Sequence, residues 1–257
     1  LRDCRITAGL APIRTSVDNV YQHTFDRMKE RNEEYYSWFP EDAELATRIA
    51  EHLRTHKEYL PTGERLTDHR FQMAGHFLGG RWRERGLHYF LETAFAEGND
   101  HLSDQFLTAM GAEVTFQANP LYALMHETIY ADGPADGVLP GIPGYELSPS
   151  PAPTNWSAAR VAASRPEFAP DADRLLFTGE HIFPWYYEED PSLRPLAEVA
   201  NLLAEKKDWG RLYDHAQLHK NEVPVVAAAY NPDVYVDFEH SMETARWVGN
   251  TQVWTSK

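Results

Sequence analysis

The chain has 257 residues, 42% of them hydrophobic and 25% charged, with 15 glycines and 17 prolines; this excludes collagen-like, mini-protein and largely disordered classes and allows a sizeable core. Acidic residues outnumber basic ones 39 to 24, a formal charge of −15, so a nucleic-acid backbone or an anionic membrane surface meets no basic face. The single cysteine, Cys4, excludes an intrachain disulfide and every multi-cysteine zinc motif, and with an N-terminal stretch that lacks an apolar signal it points to the cytoplasm.

In chain order, residues 4–8 form a short apolar stretch that reads as a strand, followed by the loop GLAPIRT. Thr15-x-x-Asp18 resembles a capping box, and Val17, Tyr21, Phe25 and Met28 recur at helical spacing until Pro40 ends the helix near Trp38. Four more helices are marked by Leu45, Ile49 and Leu53; by Phe71, Ala74 and Leu78; by Leu87, Phe90, Leu91, Ala94 and Phe95; and by Phe106, Leu107 and Met110. Asn119-Pro120 is a helix start, and Leu121, Leu124, Met125, Thr128 and Ile129 are expected to form one stripe after it. Residues 132–155 hold six prolines and four glycines and predict an exposed irregular loop. Short helices are expected near 154–165 and 195–203. The end of the chain changes grammar: a strand over 223–230, the turn Asn231-Pro232-Asp233, a helix over about 238–248, and a β-prone run over 251–255. A helical block thus sits between one strand at the start and a βαβ unit at the end.

The chain has no G-x-S-x-G, no G-x-G-x-x-G and no P-loop signature. Its twelve histidines invite a metal reading, but His126-Glu127 fails H-E-x-x-H because Tyr130 stands where the second imidazole is needed. His52 and His56 are expected on a solvated helix face, so neither a metal nor a cofactor is expected. Three carboxylates stand out. Glu127 lies beside the stripe of the helix that starts at Pro120, and Glu180 lies among Phe177, Phe183, Trp185 and Tyr186, where burial favours pairing with a cation or a donor. Asp233 follows the strand VPVVAAAY, at the edge where open α/β sheets gather their catalytic groups. The residues alone favour a salt bridge or capping contact for Glu127 and Glu180, and leave Asp233 also readable as a plain turn residue.

The stretches ITAGLAPI, NPLYALMHETIY, the Thr154-Asn155-Trp156 helix, FTGEHIFPW and NEVPVVAAAYNPDVYVD followed by SMETARWV occur in an order that resembles the proline iminopeptidases, a branch of the α/β-hydrolases. The resemblance implies an α/β fold, an α/β-hydrolase sheet with few parallel strands here and a large helical cap inserted into it. Residues 1–13 would belong to the core, 14–220 to the cap, and 221–257 to the C-terminal βαβ part of the core. It also implies a Ser-Asp-His peptidase that releases N-terminal proline from small peptides, without a cofactor, with Asp233 as the triad acid and Glu127 and Glu180 receiving the substrate's amine. The aromatic rings of Phe183 and Trp185 would wall the pyrrolidine. In that family the nucleophile would precede Leu1 and the histidine would follow Lys257, so the chain is expected to be an incomplete hydrolase fold, inactive alone and with exposed sheet edges. Two readings stand beside it: another hydrolase on the same scaffold, an aminopeptidase or esterase, and a non-catalytic helical binding module.

Overall fold

The computed structural model describes residues 1–80, 83–96, 100–132 and 153–256, so most of the proline- and glycine-rich stretch lies outside the described residues. The strands are β1 (Cys4–Ile6), β2 (Glu58–Tyr59), β3 (Arg65–Leu66), β4 (Val225–Tyr230) and β5 (Thr251–Ser256). The helices of the first half are α1 (Val17–Trp38), α2 (Pro40–Thr55), α3 (Asp68–Phe71), α4 (Glu84–Glu92), α5 (Asp104–Glu113) and α6 (Pro120–Met125). They are followed by α7 (Ser157–Ala162), α8 (Tyr186–Glu189), α9 (Ala197–Glu205), α10 (His215–His219) and α11 (Phe238–Trp247). Among the described residues, no helix is long and apolar enough to cross a membrane.

Two compact units share these elements. The first draws on Leu1–Arg27, Met125–Ser157 and Val199–Lys257. It contains a three-stranded sheet of order β1-β4-β5 in which both pairings are parallel, Cys4 opposite Val225 and Val225 opposite Thr251. In the middle strand Val225, Ala227 and Ala229 are buried and Val226 is exposed, the period-two alternation of a strand with one face covered. Ala227 and the helical Ala245 are small, and they pack with Leu10, Ile6 and Val253 into one cluster. Helix α11 starts where Asp237 Oδ1 accepts the His240 backbone N–H at 3.0 Å, an N-cap bond that satisfies one orphan donor of the first turn.

The second unit takes Met28–Leu124 and Ala158–Glu198. Its core is aromatic: Phe71 lies 6.0 Å from Phe106 and 5.5 Å from Phe177 between ring centroids, and Phe90 stacks on Phe106 at 4.6 Å. Helix α2 opens with Pro40 in its first turn and buries Ala46, Ile49, Ala50 and Leu53. A buried ion pair joins Arg31 Nη1 to Glu84 Oε1 at 2.6 Å. β2 and β3 form a small antiparallel ribbon.

Several details differ from the sequence reading. The cap of α1 is Ser16, whose Oγ accepts the Asn19 N–H at 3.2 Å, while Thr15 Oγ1 accepts the Asn19 side chain. Residues Gln72–Gly79 wind as a 3₁₀ helix where α-helix was expected; the Gln72 carbonyl is engaged by the Thr178 N–H at 3.0 Å, and Gly75 comes so near Thr178 that a Cβ there would lie 1.8 Å from its carbonyl oxygen. The helix after Pro120 does not run on through the stripe: α6 ends at Met125, a 3₁₀ turn over Glu127–Tyr130 changes the rotation per residue, and Leu121, Met125 and Ile129 face solvent while Thr128 is buried. His52 is buried, not solvated, because β2 returns Glu58 to within 2.6 Å of its Nε2.

Gly9 marks the tightest turn of the sheet's edge. Its φ is +86°, its N–H bonds to the Ala228 carbonyl at 2.8 Å, and a Cβ would fall 2.6 Å from Val236 Cγ1. Gly9→Ala is therefore expected to destabilise the protein by roughly 2–3 kcal/mol, read as a lower urea midpoint at unchanged slope.

Candidate functional site

Asp233 lies just beyond β4, at the C-terminal edge of the sheet's middle strand. Its Oδ1 accepts the backbone N–H groups of Tyr235 at 2.8 Å and Val236 at 3.0 Å, a turn held by its own side chain. Those two bonds fix the carboxylate through Oδ1. The same edge carries a cavity of roughly 260 Å³ lined by Gly9, Tyr130, Tyr213, Tyr235, Asp237 and His240 among others.

Glu127 opens the 3₁₀ turn in the same unit and is buried, as are its neighbours His126 and Thr128. Asp132, a little further on, receives the Leu212 N–H at 2.6 Å and His215 Nε2 at 2.5 Å. Burial pushes the Asp132 carboxyl up, but the bonds from His215 and the Leu212 backbone outweigh it and hold the group below the usual carboxylate range. This ties the end of the segment that carries Glu127 to α10.

Glu180, Phe183 and Trp185 lie in the second unit, in a segment without regular structure before α8. A strand's backbone groups are normally satisfied by a neighbouring strand; here buried side chains do that work. Asn32, on α1, donates to the Phe177 carbonyl at 2.9 Å and accepts the Phe177 N–H at 2.8 Å. Gln72 donates to the carbonyls of Leu176 and Phe168 at 2.8 and 2.9 Å, and its own carbonyl takes the Thr178 N–H. Tyr36 donates to the Leu175 carbonyl and Thr47 accepts the Leu175 N–H. Residues 175–178 are thus clamped, and Glu180, half-buried, follows directly. Phe183 and Trp185 stack at 5.7 Å with ring planes 10° apart. The edge of His69 meets Trp185 at 4.3 Å, and His69 Nε2 lies 2.7 Å from Glu189 Oε1. Burial lowers the His69 pKa, but the carboxylates of Asp68 and Glu189 win and raise it to about 9, so His69 is a cation at neutral pH.

The structure therefore brings Phe183 and Trp185 into contact and sets Glu180 in the same segment; Glu127 and Asp233 belong to the other unit. Sequence reasoning missed Asn32, Gln72 and His69. Asn32 did leave a signal, since it continues the apolar stripe of Phe25, Met28 and Tyr35, where a polar residue must find partners.

Comparison with known proteins sets this geometry in context. No family model matches the chain. It is 39% identical over 255 residues to the proline iminopeptidase of Aeromonas sobria, covering 99% of this chain and 55% of that protein. It is 33% identical over 253 residues to the proline iminopeptidase aneH of Aspergillus aculeatus, covering 96% of this chain and 52% of that one. Both likenesses to proline iminopeptidases run over nearly the whole of this chain. The chain spans about half the length of the curated relatives it matches. The helix-rich chain with its small parallel sheet is consistent with the α/β-hydrolase architecture of these relatives.

Asn32→Ala removes both bonds to Phe177 and leaves a buried N–H and a buried carbonyl without partners. The expected cost is about 3 kcal/mol, measured by urea unfolding. Faster hydrogen exchange at the amide of Phe177 is expected to accompany it.

Proposed function

We propose that the chain is part of a serine peptidase that releases N-terminal proline from peptides through a Ser-Asp-His triad. The likeness of nearly the whole chain to two proteins named proline iminopeptidase carries this reading. In it, Asp233 is the triad acid. Its Oδ1 is held by the turn and its Oδ2 accepts the imidazole N–H, fixing the tautomer and stabilising the imidazolium that forms when the histidine takes the serine proton. In this reading residues 1–13 and 221–257 belong to the hydrolase core and residues 14–220 to the cap.

Glu127 and Glu180 are the acids assigned to the substrate's ammonium. A secondary ammonium such as prolinium offers two N–H donors, and carboxylates bind them through charge-assisted hydrogen bonds. The stacked Phe183 and Trp185 supply a flat apolar wall of the kind a pyrrolidine ring packs against. An internal peptide bond brings no cation for the two acids to bind, so the same residues confer exopeptidase specificity. The support here is the chemistry of the side chains and their correspondence to the family's motifs.

The test is kinetic, on the complete polypeptide that carries this chain, with a prolyl arylamide and an acyl ester as paired substrates. Glu127→Gln and Glu180→Gln are each expected to lower kcat/KM for the prolyl substrate by about 10²-fold while hydrolysis of the ester changes little. Asp233→Asn is expected to lower kcat on both substrates by up to about 10⁴-fold without loss of folding. Unchanged prolyl kinetics in both glutamate variants would refute the amine assignment. Ester hydrolysis with no prolyl cleavage would replace the peptidase with an esterase on the same scaffold.

A further inference from the structure

A second group of side chains in the first unit has the composition of a metal site. His23, Asp237 and His240 each present one ligand atom, and the three atoms lie within 4.8 Å of one another. His23 Nδ1 is 3.2 Å from Asp237 Oδ1, and His240 Nδ1 is 3.6 Å from the same oxygen. Zinc bonds of about 2.0–2.1 Å put tetrahedral ligands roughly 3.3–3.4 Å apart, so two of the three edges already have the required length. The two imidazole rings lie against each other at 4.4 Å between centroids.

We infer that His23, Asp237 and His240 form a site for a first-row transition metal of the zinc type, with its fourth position open to the adjoining cavity. Three further observations support it. First, His240 Nδ1 is buried and has no hydrogen-bond partner among the described residues, although its side chain is only 6% exposed; a buried nitrogen is rarely left so. Second, the ring's other nitrogen is anchored, since Nε2 lies 3.1 Å from the Asn19 amide, which also meets Thr15 Oγ1 at 2.7 Å. In the structure the Asn19 amide nitrogen faces Thr15 Oγ1 and His240 Nε2; metal binding at Nδ1 requires the opposite amide rotamer, in which the oxygen accepts from Thr15 O–H and His240 Nε2–H and Nδ1 presents a lone pair toward Asp237, the outer-shell arrangement that metal-binding histidines use. Third, Asp237 and His240 line the cavity of roughly 260 Å³, which leaves room for a water or an exogenous ligand on the ion.

The neighbouring charges fit this picture. Arg27 Nε reaches Asp237 Oδ2 at 3.4 Å and steadies the carboxylate, leaving Oδ1 toward the histidines. The guanidinium charge also opposes any second cation, so micromolar rather than nanomolar affinity is expected. The failed H-E-x-x-H at His126 and the His52–His56 pair play no part here. The three ligands come from α1 and from the first turn of α11, which the sheet's topology brings together across more than 200 residues of chain.

The experiment is a calorimetric titration of the metal-stripped protein with ZnCl₂, and with MgCl₂ as the hard-cation control. One Zn²⁺ per chain and no Mg²⁺ binding are expected. Co²⁺ in place of Zn²⁺ is expected to give the visible d–d absorption of a tetrahedral nitrogen–oxygen site. His23→Ala, at a half-exposed position, and His240→Ala are each expected to weaken Zn²⁺ binding at least tenfold and to remove the Co²⁺ band, whereas His56→Ala changes neither. If His240→Ala does not fold, His23→Ala decides alone. Zn²⁺ binding of unchanged strength in His23→Ala, or no binding at millimolar ZnCl₂, overturns the assignment.

Discussion

Parallel pairing of β1 with β4 is the constraint on which the rest of the chain depends. Parallel neighbours cannot be joined by a hairpin and need a crossover. Here the crossover runs from Ile6 to Val225 and contains the whole second unit, while the β4-to-β5 crossover is the single helix α11. A large helical insertion of this kind costs little in closure entropy, which grows only with the logarithm of loop length. Its consequence is functional. The edge of the sheet that receives Gly9 and Asp233 is also the edge from which the chain departs into the helices, and cavities and titratable groups collect there.

The second dependence is the replacement of strand partners by side-chain amides. Asn32 and Gln72 hold residues 175–178 in the way a neighbouring strand would. The solution is specific because an amide offers a donor and an acceptor in one plane, matching the N–H and carbonyl of an extended residue. It is also unforgiving, since loss of either amide strands two buried backbone groups. Through this clamp the acid Glu180 and the Phe183–Trp185 stack are set by the α1 helix and the 3₁₀ turn, without a sheet of their own.

Much of this was legible in the sequence where the physics is local. The strand at 225–230 and the helix at 238–247 follow from alternation and helical period, all within a few residues. The family stretches pointed to Asp233, Glu127 and Glu180, and the likeness to two proline iminopeptidases agrees with that resemblance. What was not legible depends on distant partners. Nothing local makes Gln72–Gly79 a 3₁₀ helix; the Thr178 backbone, a hundred residues on, does. The burial of His52 depends on the return of Glu58, and the approach of His23 to His240 depends on a sheet register. Polar residues on apolar stripes, such as Asn32, were the one local sign of these long-range bonds.

The account rests on recognition of a substrate cation by acids, and the most direct measurement removes that cation and nothing else. The complete polypeptide carrying this chain should be assayed on a prolyl arylamide and on the same compound acetylated at the proline nitrogen. A loss of at least about 10³-fold in kcat/KM on acetylation is the expected result, because the substrate then brings the carboxylates neither its N–H donors nor its charge. Comparable cleavage of the two compounds would contradict it, and would assign Glu127 and Glu180 to holding the fold instead.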